Sequence, residues 1–389
     1  MSYSPQPARR RRLGMAARQA KPQTVQKIVI VNPDQDCGEV KEQIFAQHGR
    51  IIKEMPLVNG FLCEFPVQES ARLQTLAEHP AVLAMEDDAL LQIMCFFRRP
   101  LAPGPAQPAQ PAQPAQTTAW GVARIHAPEA WKDATGRGVK VGVLDTGIDL
   151  DHPDLKENIK GGINVIDSAA SPDDDNGHGS HVAGIIAAVD NGIGVVGVAP
   201  RASLYAIKAF DANGSGKVSD VITGLDWAVK NGMQVVNMSF GSPQDSTALR
   251  TAITNAVQQG VVMVVAAGNE GKNDSVMYPA RYPQVIAVSA TNKNDQLASF
   301  SSRGPQIGIA APGEEIYSTY KNGGYKTASG TSMATPHVTG TIALMLEKHS
   351  GTPVDVIKAV KGAAEKLPGL LPSEQGAGLV NAPATLRNW

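Results

Sequence analysis

Three short Gly-flanked blocks carry the residue types of nucleophilic acyl transfer, in the order acid, base, hydroxyl. They read V-G-V-L-D-T-G at Val141–Gly147, N-G-H-G-S-H at Asn176–His181 and G-T-S-M-A-T-P at Gly330–Pro336. Asp145 closes an apolar, β-branched run, which predicts a place at the carboxyl end of a buried strand. His178 and Ser332 each stand where a Gly-rich turn enters an apolar helical stretch. In an open α/β sheet all three then reach the rim where active sites form. There an imidazole can take the hydroxyl proton, while the carboxylate fixes the imidazole tautomer and stabilises the imidazolium. Each block alone has a plainer explanation. Asp145 would be a strand end starting a turn, Ser332 a helix N-cap, and His178 with His181 half of a metal site. The metal explanation lacks the Glu of an H-E-x-x-H pattern and any nearby Cys, so His181 reads as a packed structural residue. An esterase of the α/β-hydrolase type would need G-x-S-x-G, which is absent around Ser332. Gly192–Gly197 spells a dinucleotide fingerprint, but it follows a helical run and leads into Val198-Ala199-Pro200, where no helix can open.

The elements that must position these residues begin at Trp120, from which strand-like and helix-like runs alternate. Strands are expected near Val139–Leu144, Leu204–Lys208, Val235–Met238, Val261–Ala266 and Val285–Ser289. Helices are expected near His178–Val189, Val218–Asn231, Ser246–Gln259 and Ser332–His349, with one more after Pro353. The alternation predicts an α/β unit over 117–389, a parallel sheet with helices on both faces. Ahead of it, residues 27–94 read β-α-β-β-α-β, the order of a ferredoxin-like α+β domain. Lys27–Asn32 is its first strand, Asp36 with Glu39 opens a helix as a capping box, and Val82–Ile93 returns as one final strand. Residues 95–116 form a Pro-Ala-Gln-rich linker with four P-A-Q repeats from Pro105. Extended chain of this kind would span roughly 35–40 Å as a spacer, a proline-recognition ligand being the alternative. Residues 1–26, with the basic run Arg9–Arg12, read as a disordered N-terminal segment.

From about Gln116 to the C-terminus the chain resembles the subtilisin-like serine proteases (subtilases), because the three blocks agree in type, order and spacing. A fourth block, V-V-A-A-G-N-E-G at Val264–Gly271, joins them. The resemblance implies a serine endopeptidase acting on proteins and peptides, with Asp145, His178 and Ser332 as triad. It implies Asn269 as the side-chain donor of the oxyanion hole, and a neutral amide suits an oxygen that becomes charged only in the transition state. By the same resemblance Gly214-Ser215-Gly216 and Ser239-Phe240-Gly241 flank the bound peptide as an added strand, and Glu270 lies near the primary specificity pocket with Val276–Tyr278. Calcium is the implied cofactor. Carbonyls of Val189, Ile193 and Val195, the side chains of Asn191 and Gln116 and the Asp154 carboxylate would supply hard oxygen ligands. A second, weaker family site expects acids where Gln306 and Gly308 stand, so it is expected to be lost or altered. The domain 27–94 resembles the inhibitory propeptide of these enzymes, an intramolecular inhibitor that makes the chain a zymogen. Self-cleavage is then expected between Met94 and Cys95. A catalytically silent binding scaffold on the same fold is the rival, and it would have lost a catalytic residue.

Composition limits the remaining classes. The chain has 389 residues, 42% of them hydrophobic, which is ample for a large core and more than one domain. A net charge of −1 implies no nucleic-acid or membrane-surface partner, and no apolar stretch approaches the ~20 residues of a membrane span. Cys37, Cys63 and Cys95 are an odd set that argues against a disulfide framework. No apolar run of about 7–15 residues follows Arg12, so residence in the cytoplasm is the literal expectation, with secretion as the alternative. The active species is expected to be a monomer.

Overall fold

The computed structural model describes residues 23–67, 70–97 and 113–389. The expected disorder of the first residues and most of the P-A-Q tract lie outside them.

The N-terminal unit is a four-stranded antiparallel sheet, β1 (Thr24–Val31), β2 (Arg50–Met55), β3 (Gly60–Pro66) and β4 (Val82–Asp87), in the order β2-β3-β1-β4. Strand β1 starts at Thr24, three residues inside the segment read as disordered. Helices Cys37–Ala46 and Ser70–Ala77 cover one face. Both faces are apolar, and the period of two along each strand sorts them. Val29, Val31, Phe61, Cys63 and Phe65 pack with Val40, Ile44 and Leu76 of the two helices. Ile28, Ile30, Leu62, Met55 and Leu57 point the other way, into a cluster shared with helices Val218–Lys230 and Thr247–Gln258 of the large unit. The cap of Cys37–Ala46 is Asp36 accepting from the Gly38 N–H at 2.8 Å, not the expected box with Glu39. The turn between β2 and β3 is a short 3₁₀ stretch, Pro56–Val58, closed by Asn59 in the left-handed region at φ 50°.

The expected single strand Val82–Ile93 is two strands. β4 ends at Asp87, and β5 (Leu90–Ile93) leaves the N-terminal sheet for the large unit. The break has a physical cause in Asp88, whose carboxylate accepts from the Ser219 N–H and hydroxyl at 2.9 and 2.8 Å. Two more residues, Phe96–Phe97, form β6.

The large unit is built on a seven-stranded parallel sheet of β7 (Lys140–Asp145), β8 (Ile159–Asn164), β9 (Ser203–Lys208), β11 (Val235–Met238), β13 (Val262–Ala266), β14 (Ile286–Thr291) and β15 (Ile307–Pro312). Their order is β15-β14-β13-β11-β7-β9-β8, with helices on both faces, so the α/β expectation holds. Edge strands β8 and β15 were not expected. Short strands β10 (Ser215–Lys217) and β12 (Phe240–Gly241) and a hairpin of β16 (Ile316–Tyr320) and β17 (Gly324–Ser329) lie outside that sheet. The helix Thr331–Lys348 is buried over most of its length. All three cysteines are free thiols.

Candidate active site

Asp145 is the last residue of β7 and His178 the first of helix His178–Ala187. Gly177 makes that turn at φ 109°, and a Cβ there would stand 2.3 Å from the Tyr320 ring. His178 Nδ1 and Asp145 Oδ1 lie 2.7 Å apart, and both side chains are fully buried. Burial opposes the imidazolium, but the neighbouring Asp145 carboxylate overrides it and holds His178 well above its ordinary value, aided by Cys95. His181, one turn on, behaves in the opposite way. Burial pushes it down to about 3, and its Nε2 faces the Lys326 carbonyl at 2.9 Å, as befits a packed structural histidine.

Ser332 stands in the first turn of helix Thr331–Lys348. Pro336, four residues on, lacks the N–H that would bond the Ser332 carbonyl, and the Ser239 hydroxyl donates to it instead at 3.1 Å. The Ser332 hydroxyl donates to the Ser239 carbonyl at 2.8 Å. His178 Nε2 has no hydrogen-bond partner. Acid and base are thus joined, and the hydroxyl is turned aside from the base.

What holds it aside is the chain itself. β5 lies between β10 and β12 as the middle strand of a three-stranded sheet, with Leu91 opposite Gly216, Gln92 opposite Ser215 and Gly241, and Ile93 opposite Phe240. The Ile93 N–H donates to the Gly214 carbonyl at 3.1 Å, and the Met94 N–H to the Ser239 carbonyl and Ser332 Oγ, both at 3.2 Å. The Met94 carbonyl accepts from the Ser332 N–H at 3.4 Å. Asn269 Oδ1 takes the Thr331 N–H and hydroxyl, both at 2.9 Å, which turns its Nδ2 the other way. A Cβ on Gly330 would meet the Met94 oxygen at 2.4 Å and Asn269 Nδ2 at 3.2 Å, so only glycine lets carbonyl and amide approach there. Beyond the Met94–Cys95 bond, β6 pairs with β17, Phe96 opposite Ser329 and Phe97 opposite Ala328. The Met94 side chain is buried, its methyl 2.3 Å from where a Gly241 Cβ would be, with Met277 and Glu270 lining the same cavity.

Two carboxylates of the N-terminal unit cap helices of the large one. Asp88 does so at Ser219, and Glu86 accepts from the Ser246 hydroxyl and from the N–H groups of Thr247 and Ala248 at 2.8 and 3.2 Å. Free N–H groups and the helix dipole both favour a carboxylate at these termini. Neither residue carries a sequence signal, because a cap supplied from another unit has no local spacing.

The expected calcium residues meet at loop 189–195. The Pro114 carbonyl accepts from the Gly194 N–H at 2.7 Å, the Gln116 N–H donates to the Gly192 carbonyl at 3.1 Å, and Ala115 bridges Ile193. Gln116 Oε1 accepts from Asn191 and Gly192 at 3.0 and 2.8 Å. Asp154 accepts from the Val195 N–H and the Tyr325 hydroxyl, both at 2.9 Å and both on Oδ2, while its buried Oδ1 has no partner. The Asp154 carbonyl accepts from the Val189 N–H at 2.8 Å, and Asn191 Oδ1 caps Ile193 at 3.1 Å. A buried carboxylate oxygen without a partner, on a residue bonded to this loop, is the kind of donor a hard cation needs. Among the described residues no three His, Cys, Asp or Glu side chains converge on a metal.

In the acidic run Asp173–Asp175 the outer two residues are exposed and the middle one is not. Asp174 is buried and accepts five hydrogen bonds, from Thr146, Asn176, Gly177 and, twice, Ser180, tying the turn before His178 to the one after Asp145. Sequence reasoning also missed Thr331, which orients Asn269, and Asn237, whose amide donates to the Ser239 hydroxyl at 2.8 Å.

A family model described as the subtilase family matches residues 136–378. Subtilisin Savinase of Lederbergia lenta is 49% identical over 270 residues, 69% of this chain and 98% of that protein. The alkaline protease of Alkalihalobacillus alcalophilus is also 49% identical over 270 residues, 69% of this chain and 70% of its own. Subtilisin E of Bacillus subtilis (strain 168) is 41% identical over 345 residues, 86% of this chain and 84% of its own. Subtilisins generally bind calcium. One expectation falls here. Cytoplasmic residence is overturned, because Savinase and subtilisin E are secreted extracellular enzymes. The ground for that expectation, the polar run after Arg12, does not decide where the protein works.

Proposed function

The chain belongs to the subtilase family and is a serine endopeptidase, and from that premise we propose that it is a self-processing proenzyme with Asp145, His178 and Ser332 as its triad. The supporting observation is the Met94 carbonyl, 3.4 Å from the Ser332 N–H with Asn269 beside it and the chain uncut. For reaction the Ser332 hydroxyl turns from the Ser239 carbonyl to His178 Nε2. Its oxygen attacks the Met94 carbonyl carbon while the imidazole takes the proton. The Ser332 N–H and Asn269 Nδ2 hold the oxyanion. Collapse breaks the Met94–Cys95 bond, His178 returns the proton to the leaving Cys95 amine, and water attacking by the same route frees the Met94 carboxylate. All three triad residues are present, which disfavours the silent scaffold.

Residues 27–94 act as the inhibitor, since β5 fills the groove a substrate strand would use between Gly214–Gly216 and Ser239–Gly241. Glu270 and Met277 line the pocket for the side chain before the cut. Calcium would be held by Asp154 Oδ1 and loop oxygens of Val189, Asn191, Ile193 and Val195 with Gln116, and when bound it stiffens that loop. One chain supplies every residue of the site, in keeping with a monomer. Ser332→Ala is the test. The variant should fold, stay full length by mass spectrometry and leave casein intact. Casein hydrolysis near the wild-type rate would overturn the assignment.

A further inference from the structure

Two parts of the uncut chain are in place at once. Met94–Cys95 lies at Ser332, and Pro114–Gln116, the last P-A-Q repeat, is seated on loop 189–195. A single connection of residues 98–112 joins them. We infer that calcium loads the precursor before self-cleavage, because Gln116 is already seated on the loop while the junction still occupies the cleft. The inference rests on the calcium reading above.

The two seats lie towards opposite ends of one strand. β17 runs from the cation side to the cleft side, with Tyr325 donating to Asp154 Oδ2 at 2.9 Å and Ser329 paired with Phe96. Those two points are four residues apart on an extended strand, roughly 13 Å. If Phe97 were joined directly to Gln113, their Cα atoms would have to lie ~3.8 Å apart. The 15 residues of 98–112 remove that constraint. A stretch of this length can reach up to ~50 Å.

Asp154 Oδ1 is then available in the precursor as it stands. It is buried, has no partner, and belongs to a carboxylate whose other oxygen is already fixed by Val195 and Tyr325. Calcium binding to this form would raise its stability by mass action, more as free calcium rises.

The test uses the full-length Ser332→Ala chain, which stays uncut, with processed wild-type protein as comparison. Calcium chloride is titrated calorimetrically, and the thermal midpoint is followed against free calcium. The expected result is one calcium per uncut chain and a rising midpoint, both lost in Ser332→Ala with Asp154→Asn. An uncut chain that ignores calcium while the processed enzyme responds overturns the inference and leaves the calcium site standing. If neither form responds, the calcium site falls and the inference with it. A Ser332→Ala chain lacking residues 98–112 should keep its circular dichroism spectrum and lose the calcium response. A retained response there overturns the role given to the spacer.

Discussion

At the scale of single residues, the triad was legible because each member sits in its own Gly-flanked block. Its state was not. That the Ser332 hydroxyl donates to the Ser239 carbonyl, and that Thr331 orients Asn269, depends on groups dozens of residues away. Two predictions belong here. Asn269→Ala should lower kcat by roughly two to three orders of magnitude, the size of effect known for such a donor in a subtilisin, with little change in KM. A loss confined to KM would assign Asn269 to ground-state binding. The second concerns pH. Despite burial, Asp145 holds His178 well above its ordinary value, aided by Cys95. A raised value means the imidazolium stabilises the uncut form below the ordinary pKa of ~6.5, and that contribution fades as pH rises through the raised value. A general base must be neutral, so self-cleavage should accelerate with pH above ~6.5, close to tenfold per unit until it levels off. Gel-based time courses from pH 5 to 9 read this directly, and a rate already level below pH 6 would sink it.

At the scale of elements, long apolar runs were readable and edges were not. β7, β11 and β13 are buried on both faces and announce themselves as β-branched runs. β8 reads I-K-G-G-I-N and β15 I-G-I-A-A-P, and they are strands because β9 and β14 offer them a ladder. The break at Asp88 was equally hidden, since its cause is a helix N-terminus in the other unit. That dependence yields a prediction. Glu86 caps the helix Thr247–Gln258 from outside, and Ser246 caps it from within through the Leu249 N–H at 3.0 Å. Glu86→Ala therefore removes the contribution of docking and leaves the helix itself capped. A cap is worth ~0.5–2 kcal/mol, so the cleaved N-terminal unit should hold its partner roughly 2–30-fold less tightly. The lag before casein hydrolysis begins should shorten accordingly, with Glu86→Gln in between because the amide accepts hydrogen bonds without the charge the helix dipole favours. An unchanged lag in Glu86→Ala would remove this contact from the inhibitory interface.

At the scale of the whole molecule, two units share one core and one chain crosses the cleft between them. Composition and element order made the two units legible, and the family resemblance placed Gln116 at loop 189–195, but nothing pointed to Pro114 and Ala115 being seated there with it. A repeated sequence gives no reason for its last copy to differ, and only loop 189–195 provides one. This sets the expected course of maturation. The first cut should fall between Met94 and Cys95, because among the described residues that bond lies at Ser332 with its carbonyl beside the oxyanion donors. Later cuts should trim the spacer but not its Gln–Pro bonds, since proline after the scissile bond cannot offer the N–H an added strand needs. Trimming should stop short of Pro114, whose carbonyl holds the Gly194 N–H at 2.7 Å, because a protease must first pull the chain from that loop. The mature N-terminus therefore lies after Met94 and before Pro114, and calcium should sharpen the boundary by holding Gln116 in place. Mass spectrometry of the products over time decides this. An earliest species beginning within the repeats would put the spacer rather than Met94 in the cleft, and a final species beginning beyond Gln116 would show that the loop does not protect its own strand.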